Sequence, residues 1–302
     1  MIDYLPGFLT NVAIFAIFVL GLNLQFGFTG LLNFGHVAFL ALGAYTLALL
    51  SANYGWPWWA ALPVALVVSG LASFLIGLPA LRLRDEYLAI VTIGFSEIVR
   101  LILNNARWTG GPRGVGGYAD PLAALGLGPD GQRWALLLIC LVALAAVYAV
   151  LRYIVATPWG RVLKAIREDE DAAIALGKDT RTFKLQALAI GAVIAGLAGV
   201  LMAFFFRYIN PHMFMPLQTF VAWTIMVIGG AGHNLGVVIG AVLYFAVHSY
   251  TQQWAGGIPG LGLTGAQVGA LRIIAIGVLL VLLMMYRPQG LFGRREELSL
   301  DR

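Results

Sequence analysis

Glu97 and Arg100 are an acid and a base three positions apart in an otherwise apolar stretch, FSEIVRLILNN. On a helix that spacing puts both on one face, and Asn104 follows on the same side one turn later. Charge at membrane depth is costly and is kept where it handles a solute, relays a proton or joins two helices. Two readings are therefore open: a polar lining for the path of a zwitterionic substrate, or an ion pair fixing this helix against a neighbour. A second polar set, Thr29, Asn33 and His36, falls in a Gly- and Asn-rich segment between apolar runs. A helix broken there frees backbone groups that can line a cavity, which makes the three residues candidate substrate contacts. A single His beside Gly is also a common packing residue, and the same holds for His233 and Asn234.

Other chemistries lack their residues. His212 and His248 have no carboxylate or thiol at metal-ligating spacing, so no metal site is expected. Cys140 is the one cysteine, which excludes an intrachain disulfide. The Gly-rich run Gly110–Gly117 lacks the Lys-Ser/Thr of a phosphate loop. No Ser-His-Asp arrangement is legible, and no catalytic residue is assigned. The chain is not expected to be an enzyme.

What must position these residues is a membrane-spanning bundle. Of 302 residues, 60% are hydrophobic and only 11% charged, less than half the share in soluble domains, and mean hydropathy is +0.86. Such a chain must satisfy its backbone inside a bilayer, and its long apolar runs predict helices rather than a barrel. The net charge of +5 does not indicate nucleic acid, because the basic residues cluster between apolar spans. With about 20 apolar residues per crossing, nine transmembrane helices are expected near 8–26, 34–52, 57–78, 88–104, 134–152, 184–206, 219–232, 235–253 and 268–286. The fourth is polar for a span and the seventh is short. Arg82 and Arg84, the loop 153–183 and the tail with Arg287, Arg294 and Arg295 should face the cytoplasm, which sets the N-terminus outside and the C-terminus inside. The Gly/Pro-rich segment 105–133 then becomes an external loop, although it carries Arg107, Arg113 and Arg133. MIDYLPG has no basic start, so the first span is expected to insert and remain. Residues 1–302 read as one all-α polytopic domain.

One internal echo is visible: Gly35-His36 is followed seven residues later by Gly43-Ala44, and Gly232-His233 by Gly240-Ala241. A parallel repeat would produce that pattern, and so would chance among small residues.

The strongest polar feature is WGRVLKAIREDEDAAIALG, Trp159–Gly177. Seven of the nineteen Lys and Arg residues and five acids lie between Arg152 and Lys184. Val162, Ile166 and Ala173 recur at helical spacing, and the run Glu168–Asp171 interrupts them. Carboxylates favour a helix start and glycine a helix end, so two short helices meeting at the acids and ending at Gly177 are predicted. By composition alone, a solvated loop that only sets topology would serve as well.

The run DAAIALG, Asp171–Gly177, resembles the EAA loop of bacterial ABC importer permeases. The whole stretch, continuing into FKLQALAIGAVIAGLAGVLMA, resembles the branched-chain amino acid permease family and its LivM-type subunits. So do GLLNFGHVAFLALGAYT (Gly30–Thr46), LPALRLRDEYLAIVTIGFSEIVRLILNN (Leu78–Asn105), TGGPRG (Thr109–Gly114) and YRPQGLFG (Tyr286–Gly293), in family order over more than half the chain. The departures are Asn33, where the family often has serine, and Asp171 in place of Glu. The resemblance implies a coupling helix that docks on a cytoplasmic ATPase, with Arg161, Ile166, Arg167, Asp169, Asp171, Ala172, Ala173 and Gly177 as coupling residues. It further implies a LivH-type permease partner, two ATPase subunits that bind the ATP and Mg, and an external substrate-binding protein, with no cofactor on this chain. Location in the bacterial inner membrane follows. The implied substrates are branched-chain or other hydrophobic amino acids, or related small solutes such as urea or amides. The other reading is a stand-alone secondary transporter or channel that uses Glu97 and Arg100 as its relay.

The two roles of the Glu97–Arg100 pair diverge in Glu97→Gln with Arg100 retained. Lowered thermal stability with normal uptake marks a structural pair; lost uptake at unchanged stability marks the path.

Overall fold

The computed structural model describes residues 5–118, 121–122 and 126–253, with isolated positions beyond. The expected ninth span, 268–286, and the tail with Arg287, Arg294 and Arg295 lie outside the described residues, as does most of YRPQGLFG. Ten α-helices can be delimited among the described residues: α1 (Leu5–Gln25), α2 (Val37–Tyr54), α3 (Trp58–Ala80), α4 (Asp85–Asn105), α5 (Pro129–Ala156), α6 (Pro158–Glu168), α7 (Glu170–Ala175), α8 (Thr180–Phe206), α9 (Leu217–Gly229) and α10 (Asn234–Gln253). The chain is an all-α polytopic membrane protein.

α8 is the centre of the bundle because its small residues admit backbones on every side. Gly191 faces Gly21 of α1, Gly196 faces Gly43 of α2 and Ser69 of α3, and Gly199 faces the Leu40 carbonyl. Without a hydrophobic force between helices in lipid, such close van der Waals contact is what holds a bundle together. α1 and α8 are antiparallel: Gln25 Nε2 donates to the Leu188 carbonyl at 3.0 Å, which sets the end of α1 beside the start of α8. α3 is antiparallel to α8 too, with Gly77 against Leu185 and Leu188 at one end and the Trp58 ring 6.3 Å from Phe204 at the other.

The two ends of the bundle differ in kind. One, the elbow end, carries α6 and α7. The other, the loop end, carries 106–118, where an antiparallel bridge pairs Val115 of β1 (Val115–Gly116) with Ile209 of β2 (Tyr208–Ile209). That loop is packed rather than free: Thr109 and Gly111 are buried, and Tyr118 Oη donates to the Ala203 carbonyl at 2.6 Å. Exposed Trp56, Trp58, Trp59, Trp108 and Trp134 ring this end, as an interfacial aromatic belt does.

Nine separate crossings are not what the described residues contain. Five helices (α1, α2, α3, α5 and α8) are long and apolar enough to cross alone, or six if α9 and α10 are one bent span. α4 has the length, at 21 residues, but carries Glu97 and Arg100. The expected span 219–232 is the 13-residue α9, about 20 Å long at 1.5 Å per residue and short of a ~30 Å core. Its axis meets that of α10 at 115°. The expected span 34–52 begins at Val37, because residues 30–36 are not helical.

Gly199→Val forces a side chain into the Leu40 carbonyl and should destabilise the protein by about 1–3 kcal/mol, the usual overpacking cost. Gly94→Ala, where an added Cβ meets nothing within 4 Å, is the control. Equal thermal midpoints in detergent for the two variants would count against the tight α2–α8 seam.

Candidate functional site

The elbow is two short helices joined at one residue. Pro158 starts α6, and Gly160, Leu163 and Ile166 form its buried stripe. Asp169 breaks the helix with φ −156°, and its Oδ1 accepts from Ala172 N at 2.9 Å, the side-chain cap that starts α7. The left-handed Gly177 (φ +77°) ends the elbow, and an added Cβ there meets nothing within 4 Å. Two contacts tie it to α8: Glu170 with Lys184 Nζ at 2.5 Å, and Trp159 Nε1 donating to Gln186 Oε1 at 2.7 Å. Burial raises the Glu170 pKa, but the bonds from Lys184 and Thr180 and the nearby Arg181 outweigh it, so the carboxyl lies below the usual range. Asp179 is also lowered, by bonds from the Thr182 hydroxyl and amide that cap α8.

Two faces of the elbow separate the expected coupling residues. Arg161, Asp169, Asp171, Ala172 and Gly177 are exposed; Ile166 and Ala173 are buried, and Arg167 turns inward, half-buried. Between the exposed acids and Gly177 stand two apolar side chains that the sequence reading did not single out, Ile174 and Leu176, the latter 78% exposed. Helical periodicity cannot find them, because α7 is too short to show a period.

Thr29, Asn33 and His36 share one break, and all three are buried. Thr29 Oγ1 donates to the Leu24 carbonyl at 2.9 Å. Asn33 donates to Gln25 Oε1 at 2.8 Å and accepts the Gly35 amide at 2.9 Å, so Gln25 links the break to α8. His36 Nε2 lies 3.1 Å from the Phe18 carbonyl; since a carbonyl only accepts, Nε2 carries the proton and Nδ1 is left without a partner among the described residues. Other helices close the remaining groups. Thr92 Oγ1 accepts Phe34 N, Thr219 Oγ1 accepts Val37 N, and Trp223 Nε1 donates to the Asn33 carbonyl. The second break, 230–233, is held by Asn23, whose Oδ1 accepts Gly232 N at 2.8 Å and whose amide donates to Asn234 at 3.0 Å. Both Gly-His pairs precede a helix, while their histidines differ: His233 Nδ1 accepts Gly236 N.

Glu97 and Arg100 do pair, Arg100 Nε donating to Oε2 at 2.9 Å and its Nη2 to Oε1. They are not in the polar cluster of the breaks. Leu88, Thr92, Ser96, Val99 and Leu103 form the buried stripe of α4. Glu97, Arg100 and Asn104 are displaced about 110° around the helix from it, at 100° per residue, with the Glu97 side chain 38% exposed. A crevice of about 620 Å³ opens at the loop end, lined by Asn11, Gln132, Arg133, Arg207, His248 and Ser249 among others. None of the six expected path residues lines it.

A family model described as branched-chain amino acid transport system / permease component matches residues 4–286. The chain belongs to that permease family. It is 35% identical to the high-affinity branched-chain amino acid transport system permease protein LivM of Escherichia coli strain K12, over 93% of this chain and 68% of that one. The probable LivM of Methanocaldococcus jannaschii is 28% identical over 97% and 94%, and the LivH of Escherichia coli strain K12 is 25% identical over 93% and 92%. No solved structure matches it. A permease of this family is a transport protein, which accords with the ABC importer resemblance carried by DAAIALG.

For this permease the Glu170–Lys184 pair generates a prediction. A carboxyl held below its ordinary value contributes stability that is present above about pH 4.5 and lost as pH falls through the lowered value. Glu170→Gln should mimic acidification at pH 7 and raise amide exchange over Asp171–Ala175 by up to about fivefold, the ratio that ~1 kcal/mol for a partly exposed pair gives. Unchanged exchange would show that α7 is held by something else.

Proposed function

We propose that this chain is the LivM-type half of an importer carrying branched-chain or other hydrophobic amino acids across the inner membrane of a bacterium. The observation that carries the reading is the elbow: a polar knob with an exposed apolar tip at Ile174 and Leu176, anchored by its other face to the bundle. An apolar tip in water is costly unless a partner covers it. Two ATPase subunits would supply ATP and Mg chemistry, one of them docking on Asp171, Ala172, Ile174, Leu176 and Gly177. Similarity to both LivM and LivH supports pairing with a LivH-type permease.

Residues 1–302 form a single permease domain in this reading, and charge sets its orientation. Among the described residues the elbow end holds Arg82, Arg84 and the cluster from Arg152 to Lys184, and the loop end only Arg107, Arg113, Arg133 and Arg207. The elbow end is then cytoplasmic. α1 runs toward it, so the N-terminus is outside. α10 starts there, so the expected span 268–286, as one further crossing, would return the C-terminus to the cytoplasm. Nine membrane segments result, with α9 as a half-span. An external binding protein would deliver its ligand at the loop end, where the four arginines are exposed. Glu97, Arg100 and Asn104, on a flank of α4, would line the path where the second permease packs, and Thr29, Asn33 and His36 would support that path from the break behind it. ATP-driven closure would shift the pair between outward- and inward-facing states by differential affinity.

Gly177→Leu tests the docking. The substitution strains a left-handed position by about 1–2 kcal/mol and crowds nothing within the chain. Uptake of radiolabelled leucine by the reconstituted complex should fall at least about tenfold, the effect of ~1.4 kcal/mol, while membrane insertion stays normal. Undiminished uptake would sink the claim.

A further inference from the structure

The two faces of the elbow leave open how movement of the exposed one reaches the helix breaks. Arg167, in the last turn of α6, is the residue that spans the gap. Its Nη1 donates to the Gly27 carbonyl at 2.5 Å. Glu168 Oε1 holds the rest of the guanidinium, 3.1 Å from both Nε and Nη2. The Gly27 carbonyl lies just past the end of α1, among the groups that a helix C-terminus leaves without intrahelical donors and that carry its negative partial charge. A cation there is favoured twice, as a donor and as a charge.

The space around it is made by glycine. A methyl group at Gly232, in the second break, would come within 2.9 Å of Nη1, and one at Gly30, in the first, within 3.5 Å of Cγ. A Cβ on Gly27 would overlap both Asn23 Oδ1 and the Gly232 nitrogen. The first break, the second break and the end of α6 therefore converge on one guanidinium. Asn23 stitches the two breaks to each other beside it, through Gly232 N and Asn234. Lys164, one turn earlier on α6, adds a second link, its Nζ 5.8 Å from the centre of the Phe28 ring.

We infer that Arg167 is a positioning residue that transmits movement of the elbow to both helix breaks, by holding the Gly27 carbonyl between Gly30 and Gly232. A fork with several donors suits this role, since Nη1 stays on the carbonyl while Nε and Nη2 stay on Glu168. Lysine offers one ammonium for both tasks and does part of the work; glutamine keeps bulk but no charge. A side chain of the coupling stretch thus acts inside the bundle and not on the exposed docking face.

The inference rests on the permease reading, and the test separates the two. The complex of this chain with its permease partner, ATPase subunits and binding protein is reconstituted in vesicles, and leucine taken up per ATP hydrolysed is measured for wild type, Arg167→Gln and Arg167→Lys. Arg167→Gln should lower that ratio at least about tenfold, and Arg167→Lys should recover a substantial part of it. A wild-type ratio in Arg167→Gln, or equal loss in Gln and Lys, overturns the inference and leaves the permease reading intact. A wild type that neither assembles with ATPase nor takes up leucine overturns the permease reading itself. If Arg167→Gln does not accumulate, Arg167→Lys decides alone: a ratio at least twofold below wild type supports the pin, and an unchanged ratio removes it.

Discussion

A bilayer offers no water to a backbone that leaves its helix, and the described residues leave their helix twice inside the bundle. Residues 26–36 and 230–233 expose amides and carbonyls that would each cost on the order of 1–3 kcal/mol if buried unpaired. Several polar side chains of the bundle interior meet that demand. Gln25, Asn33, Thr92, Thr219 and Trp223 close the first break, and Asn23 closes the second. All but Asn33, which lies in the break itself, come from α1, α4 and α9, and Gln25 reaches α8 at the Leu188 carbonyl, so the hydrogen bonds that satisfy the breaks also cross-link the helices.

The same demand explains the glycines of α8. Gln25 reaches the Leu188 carbonyl only if α1 and α8 stand close, which Gly21 against Gly191 allows, and Gly21 leaves His36 room to reach the Phe18 carbonyl. Close packing and polar satisfaction are one arrangement here. A bundle spaced by leucines would leave the breaks unpaired.

The elbow combines attachment with exposure. Leu163 and Ile166 root it in the bundle, Glu170 and Trp159 hold it to α8, and Arg167 joins it to the end of α1. Its far side offers Ile174 and Leu176 to solvent. A knob fixed on one face and open on the other can carry force only if the fixed face is stiff, and five different side chains make it so. Glu97 and Arg100 stand apart from this system, on a flank of α4 that no other described helix covers fully.

Much of this is local and therefore readable in the sequence. Apolar length specified the all-α membrane class, the acidic run with Gly177 specified two short helices, and three-residue spacing specified the Glu97–Arg100 pair. These depend on neighbours along the chain, within a few residues. The half-length of one expected span did not follow, because apolarity alone does not reveal that α9 stops after 13 residues and turns through 115°. Nor did the partners of Asn33 and His36, since Gln25, Phe18 and Trp223 meet them only after α1, α2 and α9 assemble. Arg167 reads in the sequence as one more cation in a charged loop, and only the fold turns it inward onto Gly27. Sequence determines what satisfies itself within one helix; the groups that a broken helix leaves open are matched by tertiary contact, 140 residues away in the case of Gly27 and Arg167.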